Sequence, residues 1–302
     1  MNVTFRQLRL FLALADTGSV SGAARATHVS QPTASMQLRE VSNAVGLPLY
    51  EVIARRVHLT DAGQELARTA RDIANAWNAF EQKVDETKGL KRGKLRVAVV
   101  STAKYFVPRL LGSFCATYPE IEIALEVLNR DGVLQRLREN LDDLCIMSMP
   151  PTDIELADQV FMPNPLVVIA ASAHPMAGRQ QIELAELSSQ RFILRELGSG
   201  TRMATDAFFK RQNFKPQLRL ELGSNEAIKE AVAGDLGIAV VSRHALYANL
   251  FDTTVSVLKV NGFPIDSQWH VVHPLGRKLS PVAKVFQEHL LTQSRRWLQQ
   301  RI

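Results

Sequence analysis

The sequence predicts an α/β chain in three parts: a small helical front with a two-stranded β insertion, one long helix, and a two-lobed α/β body. Three observations predict this. Residues 4–60 show short helical patterns closed by a basic hairpin. Residues 61–88 carry one apolar seam whose spacing alternates between 4 and 3. From Leu95 onward, short apolar strands alternate with helical patterns. The 302 residues are 46% hydrophobic and suffice for more than one core. The boundaries read as 1–60, 61–90 and 91–302, the last divided into one lobe of 91–163 with 267–302 and another of 164–266.

The front begins at Thr4, which stands three residues before Gln7 as a capping-box pair. Phe5, Leu8, Phe11, Leu12 and Ala15 follow at helical spacing. Gly18 suits a left-handed helix end, and Ser19 suits the next N-cap. Val20, Ala23, Ala24 and Ala26 make a second helix whose small residues permit close crossing. Ser30 caps a third, where Pro32 is tolerated because first-turn N–H groups have no intrahelical partner. Ala34, Leu38, Val41 and Val45 face the core, whereas Gln31, Ser35 and Arg39 recur every four residues on another face. Any one of these polar residues is equally well a solvated surface group. Their order, with Ser30 and Thr33 beside Pro32, is that of a helix set into the DNA major groove. Arg55 and Arg56 lie at the tip of the following hairpin, either as phosphate or minor-groove contacts or as an ordinary basic turn. The parts add up to a winged helix-turn-helix.

Thr60 can cap the long helix, which the pattern carries to about Lys88 and Gly89. Its seam is Leu66, Ala70, Ile73, Trp77, Phe80 and Val84. A lone helix cannot bury such a seam; packing on its own domain is the alternative, but the expected cover for the whole seam is a second subunit, because a two-fold dimer also supplies two recognition helices.

In the body, the strands Arg96–Val100, Leu144–Met147, Leu166–Ala170, Phe192–Leu194, Leu218–Leu222 and Gly237–Val241 alternate with helices, among them Val133–Asn140. This argues for mostly parallel sheets. Pro163-Asn164-Pro165 and Gly262-Phe263-Pro264 are read as crossings between the lobes. Ligands in such folds sit beyond the carboxyl ends of strands. There the chain places Ser101, Thr102 and Lys104, then Ser199, Thr201 and Arg202, then Asn225. Hydroxyls, cations and helix N-termini together suit a small anion such as a phosphate or carboxylate.

Net charge is +6, with six basic and three acidic groups in residues 1–60 but four and six in 61–90. The local motif therefore argues for DNA more strongly than global charge does. Cys115 and Cys145 lie in apolar segments and read as buried thiols in a reducing cytosol. The N-terminus shows no signal-peptide pattern and no run reaches the length of a membrane span, which points to a cytoplasmic protein. Catalytic and metal sites are not expected. Gly198-Ser199-Gly200 lacks the G-x-S-x-G elbow, no phosphate loop is present, and the cysteines match no zinc spacing. The body alone would permit a transporter's solute-binding protein; the DNA-reading front argues against it.

Arg6-Gln7-Leu8, Ser30-Gln31-Pro32, Gly46-Leu47-Pro48-Leu49-Tyr50-Glu51 and Leu59-Thr60-Asp61-Ala62-Gly63 resemble the DNA-binding end of LysR-type transcriptional regulators. The body extends the resemblance through residues 195–202 (RELGSGTR), 221–229 (ELGSNEAIK), His174-Pro175 and residues 262–265 (GFPI) followed by Trp269. It is most similar to the subgroup that regulates RuBisCO operons and inorganic-carbon genes. The resemblance implies an activator with an effector domain like periplasmic binding proteins. It implies no cofactor, but a phosphorylated or carboxylate metabolite as co-inducer: a sugar bisphosphate, phosphoenolpyruvate, 2-phosphoglycolate, 2-oxoglutarate or NADPH. The expected assembly is a homodimer through residues 61–88, with effector domains pairing further into a homotetramer, that works with RNA polymerase; a regulator of another metabolic operon is the alternative. This chain departs from the family at Val41-Ser42, where Leu-Glu is usual, and at Val52, where Arg is usual. It departs again at Ser148-Met149, where Gly and a polar residue commonly precede the paired prolines.

Overall fold

Thr4 opens the first helix as its spacing predicts. Its hydroxyl accepts the Gln7 N–H at 3.3 Å, and the Gln7 side chain accepts the Thr4 N–H at 2.9 Å. The computed structural model describes residues 2–54, 56–87, 92–246 and 254–299. They form two units, 1–84 and 85–302.

The first unit comprises α1 (Phe5–Thr17), α2 (Val20–Ala26), α3 (Gln31–Val45), the hairpin β1 (Tyr50–Ile53) and β2 (Arg56–Leu59), and most of α4 (Asp61–Thr87). Gly18 ends α1 at φ 64°, and Ser19 and Ser30 cap α2 and α3. Phe11, Leu14, Ala23, Ala34 and Leu38 are fully buried, which locks three short helices that would be marginal alone. Antiparallel pairing runs from Tyr50↔Leu59 to Ile53↔Arg56, and Ala54 turns at φ 49°. Arg55, and the predicted helix stop at Lys88-Gly89, lie outside the described residues.

The seam of α4 divides. Ala70 is fully buried and Leu66 packs on the core of its own unit. Ile73, Trp77 and Phe80 are 42, 50 and 57% exposed, with Trp77 5.8 Å from the Phe5 ring and 5.7 Å from Phe80. The expectation of one continuous partner-facing seam is thus corrected for its first two members, because α4 is rooted in the front's core. Val84 is half-buried.

The second unit holds two five-stranded sheets among its described residues. In chain order it contains β3 (Gly93–Val100), α5 (Val107–Thr117), β4 (Ile121–Leu128), α6 (Arg130–Arg138), β5 (Leu144–Met147) and β6 (Leu156–Pro163). Then come β7 (Leu166–Ala171), β8 (Arg191–Arg195), α7 (Gly200–Arg211), β9 (Gln217–Leu222), α8 (Asn225–Ala233), β10 (Ile238–Ser242) and β11 (Val255–Leu258). β12 (Gln268–Pro274) and α9 (Pro281–Gln299) return to the first lobe. The sheet orders are β4-β3-β5-β12-β6 and β11-β7-β10-β8-β9.

The sheets are mixed rather than mostly parallel. β3 runs parallel to β4 and β5, and β8 to β9 and β10; β12 and β7 run antiparallel to their neighbours. Parallel pairs need a crossover helix, and the strands that carry the chain between lobes have none. Gly262-Phe263-Pro264 is not a crossing. Phe263 packs into the second lobe and Ile265 still pairs with Leu166. The lobes are joined two residues later, where the Asn164 N–H donates to the Ser267 carbonyl at 2.8 Å.

One close approach fixes α4 against the hairpin. A Cβ on Gly63 would lie 1.8 Å from the Leu49 carbonyl oxygen, which also accepts the Thr60 N–H at 3.1 Å. The Thr60 hydroxyl accepts the Gly63 N–H and donates to the Pro48 carbonyl. Gly63→Ala should therefore destabilise the front by about 1–3 kcal/mol through overpacking. Thermal unfolding followed by circular dichroism will show a lowered first transition; an unchanged melt would contradict the contact.

Candidate DNA interface and anion cleft

α3 carries the first candidate site. The Ser30 hydroxyl accepts the Thr33 N–H at 3.3 Å and lies 2.7 Å from the Thr33 hydroxyl. Gln31, Pro32 and Arg39 are exposed, and Thr33 and Ser35 half-buried, while Ala34, Leu38 and Val41 turn inward. Pro32, Ser35, Met36, Arg39, Glu40 and Asn43 line a shallow surface groove along this face. The Gln7 amide fixes Glu40 by donating to it at 3.0 Å. Met36, 55% exposed, is absent from the sequence reading; its place between Ser35 and Arg39 on the outward face is the signal that would have found it. Arg56 is exposed on β2, and the hairpin is tied to the end of α1 by the Val57 N–H on the Gly18 carbonyl at 3.0 Å.

The second candidate site lies between the lobes, where strands end from both sides. Val100, Ser101, Thr102, Arg130, Ser148, Arg195, Glu196, Ser199, Gly200 and Thr201 line it, and the space they leave is about 10 Å³, room for a single water. Of the seven residues expected here, the structure gathers Ser101, Thr102, Ser199 and Thr201 in the lining. Ser199 also caps α7, accepting the Arg202 N–H at 3.1 Å, so the free first-turn N–H groups of this helix form one wall. The lobes touch closely here: a Cβ on Gly200 would meet the Ser148 hydroxyl at 2.4 Å.

The predicted cations do not supply the charge. The Arg202 guanidinium is held by Asp206 at 2.9 Å, Glu221 at 3.0 Å and the Arg195 carbonyl at 2.9 Å, and it braces α7 to the strand ends outside the cleft. Lys104 donates to Glu226 at 3.1 Å, beside the Tyr105 hydroxyl, which donates to the same carboxylate at 2.6 Å. Burial pushes the Glu226 carboxyl up, but hydrogen bonds from Tyr105, Ser224, its own backbone and Lys104 outweigh it and hold the group at about 2. Burial, then the bond to Glu226, push the Tyr105 hydroxyl up. Because the Glu226 value is depressed, its contribution to the inter-lobe contact is complete above the ordinary carboxyl range and is lost as pH falls toward 2.

Arg195 and Arg130 supply the charge instead. Arg195 is 3% exposed. Its Nη1 donates to Thr102 at 3.2 Å and Asn225 at 3.1 Å, its Nη2 to Ser101 at 3.3 Å, and Nε and Nη2 grip Glu196 at 2.7 and 2.8 Å. Asn225 is thus a brace, since its amide also donates to Thr102 at 3.0 Å. Arg130 opens α6, capped by Asn129, and donates from Nη2 to the Met149 carbonyl at 2.8 Å. Its buried Nε has no hydrogen-bond acceptor. Burial pulls its proton affinity down, while Asp131 and Asp153 act in the other direction. The signal for Arg130 was Asn129 as an N-cap at a strand end; the helix starts there, three residues before the expected Val133. Among the described residues, no group of three or more His, Cys, Asp or Glu could hold a metal ion.

Comparison with known proteins places both parts of the chain in one family. Residues 5–64 match the bacterial regulatory helix-turn-helix protein, lysR family, and residues 88–295 the LysR substrate binding domain. The chain is 41% identical to the HTH-type transcriptional activator CmpR of Synechocystis over 96% of its own length and 95% of that protein's. It is also 41% identical to the RuBisCO operon transcriptional regulator of Acidithiobacillus ferrooxidans, over 97% and 95%. Both of these relatives are named as regulators, not enzymes. The Synechocystis CcmR regulatory domain, solved in complex with 2-PG, is 45% identical, covers 67% of this chain and 98% of its own, and superposes with a TM-score of 0.65. A full-length point variant of OxyR from Pseudomonas aeruginosa, 20% identical, shares the fold at a TM-score of 0.81 over 98% of this chain and 95% of its own. With its helix-turn-helix, its two-sheet body and relatives alike over nearly its whole length, this chain belongs to the LysR family of bacterial transcriptional regulators.

Proposed function

We propose that this regulator activates carbon-fixation genes in the cytoplasm and is controlled by a phosphorylated metabolite held between its effector lobes. The observation that carries the reading is the convergence on one cleft of Arg130, Arg195, the lining hydroxyls and the N-terminus of α7. The naming of the relatives for CmpR and RuBisCO operons, and the 2-PG in the CcmR domain, support the target and the ligand class.

On the DNA side, the chain's own residues divide by chemistry. Arg39 can fork onto guanine and Gln31 onto adenine, Ser30, Thr33 and Ser35 can bond phosphates or base edges, and Arg55 and Arg56 can neutralise phosphate or enter the minor groove. Pro32 stands in the first turn of the helix, where its fixed φ suits the start and its missing N–H costs no intrahelical bond. Ile73, Trp77, Phe80 and Val84 meet a second copy, giving a dimer with two recognition helices; effector domains pair further into a tetramer. A metabolite entering the cleft changes the lobe geometry, which changes the spacing of the paired helices, and hence the DNA bend and access for RNA polymerase. The coupling is a difference in affinity between two states, typically about 1–3 kcal/mol.

Three measurements test this. Fluorescence anisotropy on the chain's own upstream DNA will show Arg39→Ala losing about 1–3 kcal/mol at one base position if the residue forks onto guanine; uniform loss across sequences would show a phosphate role. Trp77→Asp should abolish the dimer in sedimentation and weaken operator binding with it, and an unaltered dimer would reject the exposed seam. Arg130→Ala should spare DNA binding while removing the footprint change caused by 2-phosphoglycolate. A normal ligand response in that variant would discard the cleft.

A further inference from the structure

The cleft's strongest cation is already occupied by the protein itself. A guanidinium has five N–H donors, and all of those on Arg195 are engaged. Three go to neutral groups, Ser101, Thr102 and Asn225, and two go to the two oxygens of Glu196. The neutral partners come from both lobes and hold the guanidinium in place. Glu196 is different: its side chain is 26% exposed against 3% for Arg195, it lines the cleft, and it stands where an incoming anion would meet the guanidinium. Across the cleft, the buried Nε of Arg130 has no acceptor.

We propose that Glu196 is a resident anion that an effector must displace from Arg195, so that the cleft selects dianions such as phosphomonoesters over monocarboxylates. Arg130, Arg195 and Glu196 are the charged residues in the lining. A monocarboxylate that replaced Glu196 would exchange one carboxylate for another on Arg195 and gain little. With its single charge it would leave either Arg195 or Arg130 unmatched. A phosphomonoester carries close to two charges and three acceptor oxygens. It can take the two Arg195 donors that Glu196 releases and still reach Arg130 and the first-turn N–H groups of α7. Space bears on the displacement rather than on the selectivity. The lining leaves about 10 Å³ with Glu196 in place, so an effector must first move a side chain, and the Glu196 carboxylate can withdraw without breaking a backbone contact. Glu196 is then both gate and filter, because its negative charge returns to Arg195 whenever no better anion is present.

This inference rests on the cleft being the effector site, and the experiment separates the two. Calorimetry on the full-length chain compares inorganic phosphate, 2-phosphoglycolate and acetate as probes, with Glu196→Gln and Glu196→Asp as variants. Gln keeps the size of the side chain but removes its charge. Glu196→Gln should bind 2-phosphoglycolate and phosphate about tenfold more tightly, since a charge-assisted pair no longer competes. Acetate should give no measurable heat on the parent protein and should acquire it on Glu196→Gln. Glu196→Asp keeps the charge and should retain the parent's discrimination. If Glu196→Gln bound phosphate equally or more weakly while the parent bound it well, displacement would be overturned and the cleft would stand. If parent and variants alike bound none of the three anions, the cleft itself would be overturned.

Discussion

A buried guanidinium must be fully paired, and the placement of the two effector lobes depends on how Arg195 meets that demand. Moving an arginine into a site 3% exposed to solvent is costly unless every donor finds an acceptor. The acceptors come from the first lobe through Ser101 and Thr102 and from the second through Asn225 and Glu196. Neither lobe alone satisfies the group. The cation therefore acts as a tie between them, and any anion that changes its partners changes the tie.

The surrounding contacts give the tie direction. On one side of the cleft, Lys104 and Tyr105 converge on Glu226. On the other, Ser148 presses on Gly200 so closely that no other residue fits there without displacement. Beside Ser148, Met149 adopts φ 56°, a conformation that glycine takes without strain. Of this pair, Ser148 lines the cleft.

What the sequence revealed was local, and what it hid was long-range. Caps at Thr4, Ser19 and Ser30 act over three residues, so their spacing is enough to read them. The face of α3 and the small residues of α2 follow from helical period in the same way. The identity of the cleft cations does not. Lys104 and Arg202 stand at the right strand ends, but Glu226, Asp206 and Glu221 neutralise them, and two of those pairings reach across 122 and 19 residues. Arg195 is bonded to Thr102 from 93 residues away, a pairing that no spacing rule shows. Mixed sheets escaped for a related reason: a strand's direction is set by where its chain came from in space, not by its composition. The α4 seam was legible as a seam, whereas the share of it rooted in its own domain depended on the fold of α1.

The central claim is that an anion meeting Arg195 resets how the protein holds DNA. The most direct measurement is the bend of doubly labelled upstream DNA, followed by energy transfer while 2-phosphoglycolate is added to the bound protein and to its Arg195→Gln variant. The account predicts a saturable change of bend with the parent protein and none with the variant, which should still bind the DNA. An equal change with both would contradict it.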